Sequence, residues 1–514
     1  MPLAKSYSVS LFGLGGKIIE VEADISSNLP NFVLVGLPDA SLSESTARVR
    51  AACANSGLSL PARRITVNLS PASVPKQGSG FDLSIAVAVL AAAGSLNARS
   101  VERFAHFGEL GLDGSLRPIG GILPMILAAK KAGFTRAVVA VANQNEAMLV
   151  EGVEIIACSC LAEVARLHGA DIPVEQRDQE QLAIETPFEE HRPCMSEVFG
   201  QPELVDAIKV AAAGRHHFLM VGPPGAGKTM LAERLPTILP ELTVEEALEV
   251  AAVRSIARVE TVTGLKTQPP FEAPHHSSSM VAMIGGGSGV PKPGLISLAH
   301  NGVLFLDETP EFSSQTLESL RQPLESGKVT INRASGSAWF PARFQLALAA
   351  NPCPCGNYSA KGNRCTCSHI QRSRYLAKLS GPLLDRIDIR LEVRPASAGA
   401  IALGKLKPGP TSNEIREQVL EARQRARHRL AGTSWNANAE VTGAYLRKHL
   451  RPSAAATARL DAALARGVIS MRAYDRCLRV AWTCADLAAR GEVSSDDIAY
   501  AISLRGNIQL EEPA

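Results

Sequence analysis

The chain has 514 residues, 46% of them apolar and 20% charged, with 53 Lys and Arg against 50 Asp and Glu. A net charge of +3 is too near neutral to announce a nucleic-acid binder, so any basic surface has to be local. No apolar run reaches the eighteen residues of a membrane helix, ten cysteines are too sparse for a disulfide scaffold, and residues 1–24 lack the order of a signal peptide, which together predict a cytoplasmic protein.

The length suggests about three domains. Residues 1–168 alternate strand-like runs at 17–21, 31–35, 64–69 and 137–141 with an Ala-rich helical stretch at 83–93, which predicts an α/β unit. Residues 169–195 turn polar and acidic and read as a linker. A second α/β unit over 196–398 carries apolar runs at 218–221, 303–306 and 344–349 between helical patterns, as a parallel sheet flanked by helices requires. Residues 399–514 have helical period, broken at 451–453 and 491–494, and predict an all-helical domain.

The most informative stretch is HFLMVGPPGAGKTMLAERL. Gly222, Pro223, Pro224, Gly225, Ala226, Gly227, Lys228 and Thr229 match G-x-x-x-x-G-K-[ST], after an apolar strand and before a helix, and so predict a nucleoside-triphosphate site. Lys228 is expected on the β- and γ-phosphates and the Thr229 hydroxyl on magnesium. In GVLFLDE, Asp307 is expected to hold Mg2+ through water and Glu308 to polarise the attacking water as general base. The run FQLALAAN ends in Asn351, a polar side chain placed to sense the γ-phosphate.

Cys353, Cys355, Cys365 and Cys367 form C-x-C, nine residues, C-x-C, and four thiolates suit a closed, structural zinc site. The one-residue gaps are shorter than in usual zinc ribbons, so reduced thiols stay open and His369 is a substitute ligand. The segment LESGKVTINRASGSAWFPARF reads as two strands joined near 334–337, with Lys328, Arg333 and Arg343 supplying charge. His275 and His276 lack a third well-spaced metal ligand and read as loop or pore residues.

Together these pieces resemble the AAA+ ATPases. GFDLSIAVAVLAA, VGPPGAGKTMLAERLP, APHHSSS, PGLISLAHNGVLFLDE, NPCPCG and LSGPLLDRIDI narrow the resemblance, over nearly the whole chain, to the Mg-chelatase-like ComM (YifB) family, a bacterial group of hexameric helicases that drive branch migration. The resemblance implies an ATP- and Mg2+-dependent homo-hexameric motor acting on DNA through a central pore, with Asn351 as first sensor. It makes Arg386 in LLDRID an arginine finger entering the neighbouring subunit's site, Arg472 the second sensor with Arg476 its rival, and the 328–343 hairpin a pore element.

Residues 1–168 resemble the Lon protease fold, in VPKQGSGFDLSIAVAVL and GELGLDGSLRPIGGILPMILAAKKAG. Alignment on the shared PK and PIGG words puts Gly80 where the Ser nucleophile belongs and Leu123 where its Lys belongs, with Ser79 one residue off and Lys130 and Lys131 about two turns away, so a binding or assembly role is expected. An ATP-dependent protease and a chelatase-type motor subunit acting on a protein partner are the competing functions.

Overall fold

The computed structural model describes residues 3–36, 42, 44–74, 76, 78–173, 193–257, 264–287, 291–333, 336–358 and 365–505. Most of the expected linker, the tip of the 328–343 hairpin at 334–335, Gly362 and Asn363 between the cysteine pairs, and residues 506–514 lie outside these.

The first unit is built on a seven-stranded mixed sheet in the order Asn31–Val35, Arg64–Ser70, Gly15–Ser26, Leu3–Phe12, Ala105–His106, Arg136–Ala140, Glu154–Cys158. Leu3–Phe12, Ala105–His106 and Glu154–Cys158 are additional to the strands expected from hydropathy. Leu3–Phe12 escaped because its inward positions include Ser6, Ser8 and Ser10, all buried, where alternation normally shows apolar residues. Ser6 Oγ donates to the Ser84 carbonyl at 2.6 Å, which satisfies its hydroxyl in the core. The helix Asp82–Ala92 packs on the two longest strands and is buried on every side, so it shows no polar face. Its first residue, Asp82, is fully buried and is held by Arg48 Nε at 2.7 Å and Ser45 Oγ at 2.5 Å.

The second unit is an all-parallel five-stranded sheet, ordered Phe271–Glu272, Val303–Leu306, Gln345–Ala350, Phe218–Val221, Ile389–Glu392. The three inner strands are buried along their whole length, which is why they read as unbroken apolar runs rather than alternating ones. Val221 pairs with Ala350 and Leu306 with Leu348, so the chain leaves all three at one edge of the sheet. Gly222, Asp307 and Asn351 begin there.

Helices Ser412–Arg429, Met471–Leu487 and Ser495–Ser503 form the helical C-terminal region. Its core is continuous with that of the second sheet through the helix Pro202–Gly214. A capping box starts Ser412–Arg429: the Glu414 amide donates to Thr411 Oγ1 at 3.3 Å and the Thr411 amide to Glu414 Oε2 at 2.7 Å.

Among the described residues, two contacts between the first unit and the second stand out. Helix Ile122–Lys131 packs on helix Val244–Ala257. The turn between the first two strands, Leu11 to Leu14, packs on Ala338, Phe340 and Ile331 of the antiparallel hairpin Lys328–Arg333 and Gly336–Pro341. Gly13 has φ +66°, and a Cβ there would stand 2.4 Å from the Trp339 carbonyl oxygen, so this contact requires glycine.

Candidate nucleotide site

The loop Gly222 to Gly227 joins the central strand Phe218–Val221 to the helix Lys228–Ile238. Gly225 and Gly227 take φ +75° and +90°, and no atom lies within 4 Å of where a Gly225 Cβ would be. The loop is an open cradle of backbone amides at a helix N-terminus, suited to anions. Lys228 Nζ folds back over it, donating to the carbonyl oxygens of Gly222 at 2.7 Å and Pro223 at 3.0 Å and to Asn351 Oδ1 at 3.1 Å. Burial lowers the ammonium pKa, while Asp307 and Glu308 oppose that shift. Thr229 Oγ1 donates to Asp307 Oδ2 at 2.7 Å. A hydroxyl and a carboxylate in contact beside a phosphate cradle suit magnesium, and a lysine with three donors directed at the loop suits phosphate oxygens; these residues fit a Mg2+-triphosphate.

Glu308 stands next in the chain, with a left-handed backbone at φ +47° and ψ +42°, uncommon for a non-glycine residue. Its amide donates to Asp307 Oδ1 at 2.8 Å. His276 Nδ1 lies 3.5 Å from Glu308 Oε2, and its ring lies tilted against that of His275 at 4.1 Å between centroids. The HH pair in APHHSSS is the sequence signal for this contact, and it reads only as loop or pore residues, without a tie from His276 to Glu308.

The four cysteines converge. Cys353 Sγ is 3.4 Å from Cys355 Sγ and 3.6 Å from Cys365 Sγ, Cys355 and Cys365 are 3.7 Å apart, and all four sulfurs lie within 4.8 Å of one another without His369. The backbone amide of Asn357 pulls the Cys355 thiol pKa down, whereas burial pushes that of Cys353 up. A tetrahedral thiolate set is what zinc takes, and these residues fit it.

Three arginines stand apart from the cradle. Arg386 pairs with Glu325 and donates to the Pro382 carbonyl at 2.5 Å, rather than pairing with its neighbours Asp385 and Asp388. Arg472, with 77% of its side chain exposed, reaches Asp385 at 2.7 Å. Arg476 is buried, with Nη1 3.4 Å from the carbonyls of Leu384 and Ile387 and Nε 3.7 Å from Asp388. In the first unit, Ser79 donates to Glu109, Lys76 Nζ donates to the carbonyls of Gly36 and Pro71, and Leu123 is buried. A Ser nucleophile needs a nearby base of suitable pKa, and neither Lys76 nor Leu123 supplies one to Ser79 here.

Three segments match family descriptions: residues 194–401 "Magnesium chelatase, subunit ChlI", 21–143 "Subunit ChlI of Mg-chelatase" and 409–505 "Magnesium chelatase, subunit ChlI C-terminal". The chain is 41% identical to the competence protein ComM of Haemophilus influenzae across 99% of both chains. It is 40% identical to YifB of Escherichia coli, over 98% of this chain and 97% of that one. The chain belongs to the ComM/YifB family of Mg-chelatase-like proteins. An uncharacterized protein of Mycobacterium tuberculosis is 47% identical over 98% of this chain and 99% of its own. The ComM/YifB fold is thus an AAA+-like core on a parallel sheet, with a helical C-terminal region and an N-terminal part related to Lon: Lon protease 2 of Bacillus subtilis is 30% identical over 171 residues, 31% of this chain and 30% of that one. ATP and Mg2+ are the ligands this family implies. Among the described residues no helix is long and apolar enough to cross a membrane.

Proposed function

We propose that the protein is a cytoplasmic, ring-forming ATPase that moves branched DNA, a branch-migration helicase serving recombination of incoming DNA. The observation that carries the ATPase is the pair of contacts at one sheet edge, Lys228 to Asn351 and Thr229 to Asp307. Full-length similarity to a protein named for competence supports the DNA substrate.

Lys228 exchanges its carbonyl partners for phosphate oxygens, and Asn351 is left to orient the γ-phosphate. Thr229 and Asp307 would hold magnesium, which would supply neutralisation of phosphate charge. Glu308 accepts the proton of the attacking water. Arg386 leaves Glu325 and enters the neighbouring protomer's site of a homo-hexamer, where it balances charge developing on the transferred phosphoryl group. Arg472, the exposed arginine, is the second sensor, and the hairpin with Lys328 and Arg333 lines the pore and tracks a DNA backbone. The four thiols would hold a structural zinc.

On a synthetic four-way junction with ATP and magnesium, the wild-type protein is expected to branch-migrate the strands. Lys228→Ala is expected to lower ATP turnover at least about 100-fold and to abolish migration. ATP hydrolysis indifferent to every DNA form tried, with no migration, overturns the DNA reading; a full hydrolytic rate at concentrations where the protein is monomeric overturns the shared site.

A further inference from the structure

We infer that the four-cysteine cluster is a metal-dependent strut that holds the phosphate loop and Asn351 in their nucleotide-binding positions. The inference rests on zinc occupying the cluster and is independent of DNA as substrate. Three sulfur separations, 3.4, 3.6 and 3.7 Å, approach the edge of about 3.8 Å expected for a tetrahedron with zinc–sulfur bonds of about 2.3 Å. Free thiols have no reason to gather four at a time.

The cluster sits where it reaches the nucleotide site from two directions. Cys353 follows Asn351 by two residues and is completely buried, so fixing its sulfur fixes the chain that presents Asn351 Oδ1 to Lys228. Gly356, at φ +74°, turns the chain against the phosphate loop: a Cβ there would be 2.7 Å from both Cγ and Cδ of Pro224. The other ligand pair is anchored elsewhere. Cys367 precedes Ser368, which caps helix His369–Ala377 in a capping box with Gln371. Arg372 on that helix donates to the Cys367 carbonyl at 3.1 Å and lies over the Tyr358 ring at 4.2 Å. Metal therefore ties the segment touching Pro224 to a capped helix. Without it, the helix still reaches this segment through Arg372 on the Tyr358 ring and through Tyr375 at the Asn351 backbone, but the Cys353 to Gly356 turn that backs Pro224 loses its metal link.

The test uses the full chain, elemental analysis and a fluorescent ADP analogue. One zinc per chain is expected in the wild type and none in the double variant Cys365→Ser, Cys367→Ser. Stripping zinc from the wild type with a thiol-competing chelator, then dialysing into magnesium, is expected to weaken the analogue about tenfold, and adding zinc back to restore it, which separates the strut from misfolding of a variant. Gly356→Ala keeps all four thiols; it is expected to retain one zinc yet bind the analogue several-fold more weakly, because its Cβ presses on Pro224. Substoichiometric metal in the wild type, or analogue affinity unchanged by stripping, overturns the strut. None of these readouts involves DNA, so they survive failure of the motor reading, and a working motor without zinc leaves that reading standing while the strut falls.

Discussion

Arg472 and Arg476 lie one helical turn apart and do opposite work. Arg476 is built into the core beside the buried Asp388, where burial pushes the carboxyl pKa up but the His216 hydrogen bond, Arg479 and Arg476 outweigh it and hold it at about 2. Removing Arg476 leaves that carboxylate short of a partner, so Arg476→Ala is expected to cost about 3 kcal/mol, seen as a lowered midpoint in thermal denaturation. Arg472→Ala is expected to leave that midpoint within about 1 °C, since exposed ion pairs contribute little, and to lower ATP turnover about tenfold. The same separation of roles applies at the strand end. Glu308→Gln keeps size and hydrogen bonds but removes the base, so nucleotide affinity is expected to persist while phosphate release slows about 100-fold or more. Equal loss of binding and turnover would show that Glu308 instead shapes the pocket.

Parallel strands bring the candidate-site side chains together because each leaves the sheet in the same direction, whatever the distance between them in sequence. Between helices, the junction is polar and specific. Arg429 of Ser412–Arg429 donates to both oxygens of Asp486 on Met471–Leu487, at 2.5 and 2.6 Å, and Asn438 Nδ2 adds a third bond at 2.8 Å. Asp486 is almost wholly buried, so Asp486→Ala strands the guanidinium and is expected to destabilise the chain by about 3 kcal/mol, measured as a shift in urea midpoint. An unchanged midpoint would mean that solvent reaches the pair.

Over the whole molecule, the Lon-related unit abuts the second unit's hairpin through Gly13 and its neighbours, and its own stability is expected to depend on pH. His106 Nε2 and His168 Nε2 are 3.0 Å apart, and Ser100 Oγ is 3.0 Å from His168 Nδ1. Burial lowers the pKa of His168 to about 4 and that of His106 well below its usual value. Because the folded pKa lies below the unfolded value near 6.5, the unfolded chain binds more protons between them; the pair's stability is complete above about pH 6.5 and is lost as pH falls toward 4. Chemical denaturation at pH 7 and pH 5 is expected to show a loss from this pair on the order of 2 kcal/mol at the lower pH, and the total loss is expected to shrink by about that amount in His106→Phe with His168→Leu, the buried His217, also lowered to about 4, supplying a remainder. A loss of equal size in that double variant would place the titrating groups elsewhere.

Much of this protein was legible in one dimension because its chemistry is local. The phosphate loop needs consecutive residues for its turn, and strand-end carboxylates announce themselves after an apolar run, so Gly222 to Thr229, Asp307, Glu308 and Asn351 could all be named from sequence. Buried parallel strands were legible for the same reason, whereas Leu3–Phe12 hid behind inward serines whose hydroxyls are satisfied only after folding. What the tertiary structure alone decided is which distant groups meet: His276 with Glu308, Arg386 with Glu325 rather than its own aspartates, and Gly356 with Pro224. Such pairings depend on how the chain returns to one sheet edge, and sequence spacing carries no record of that return.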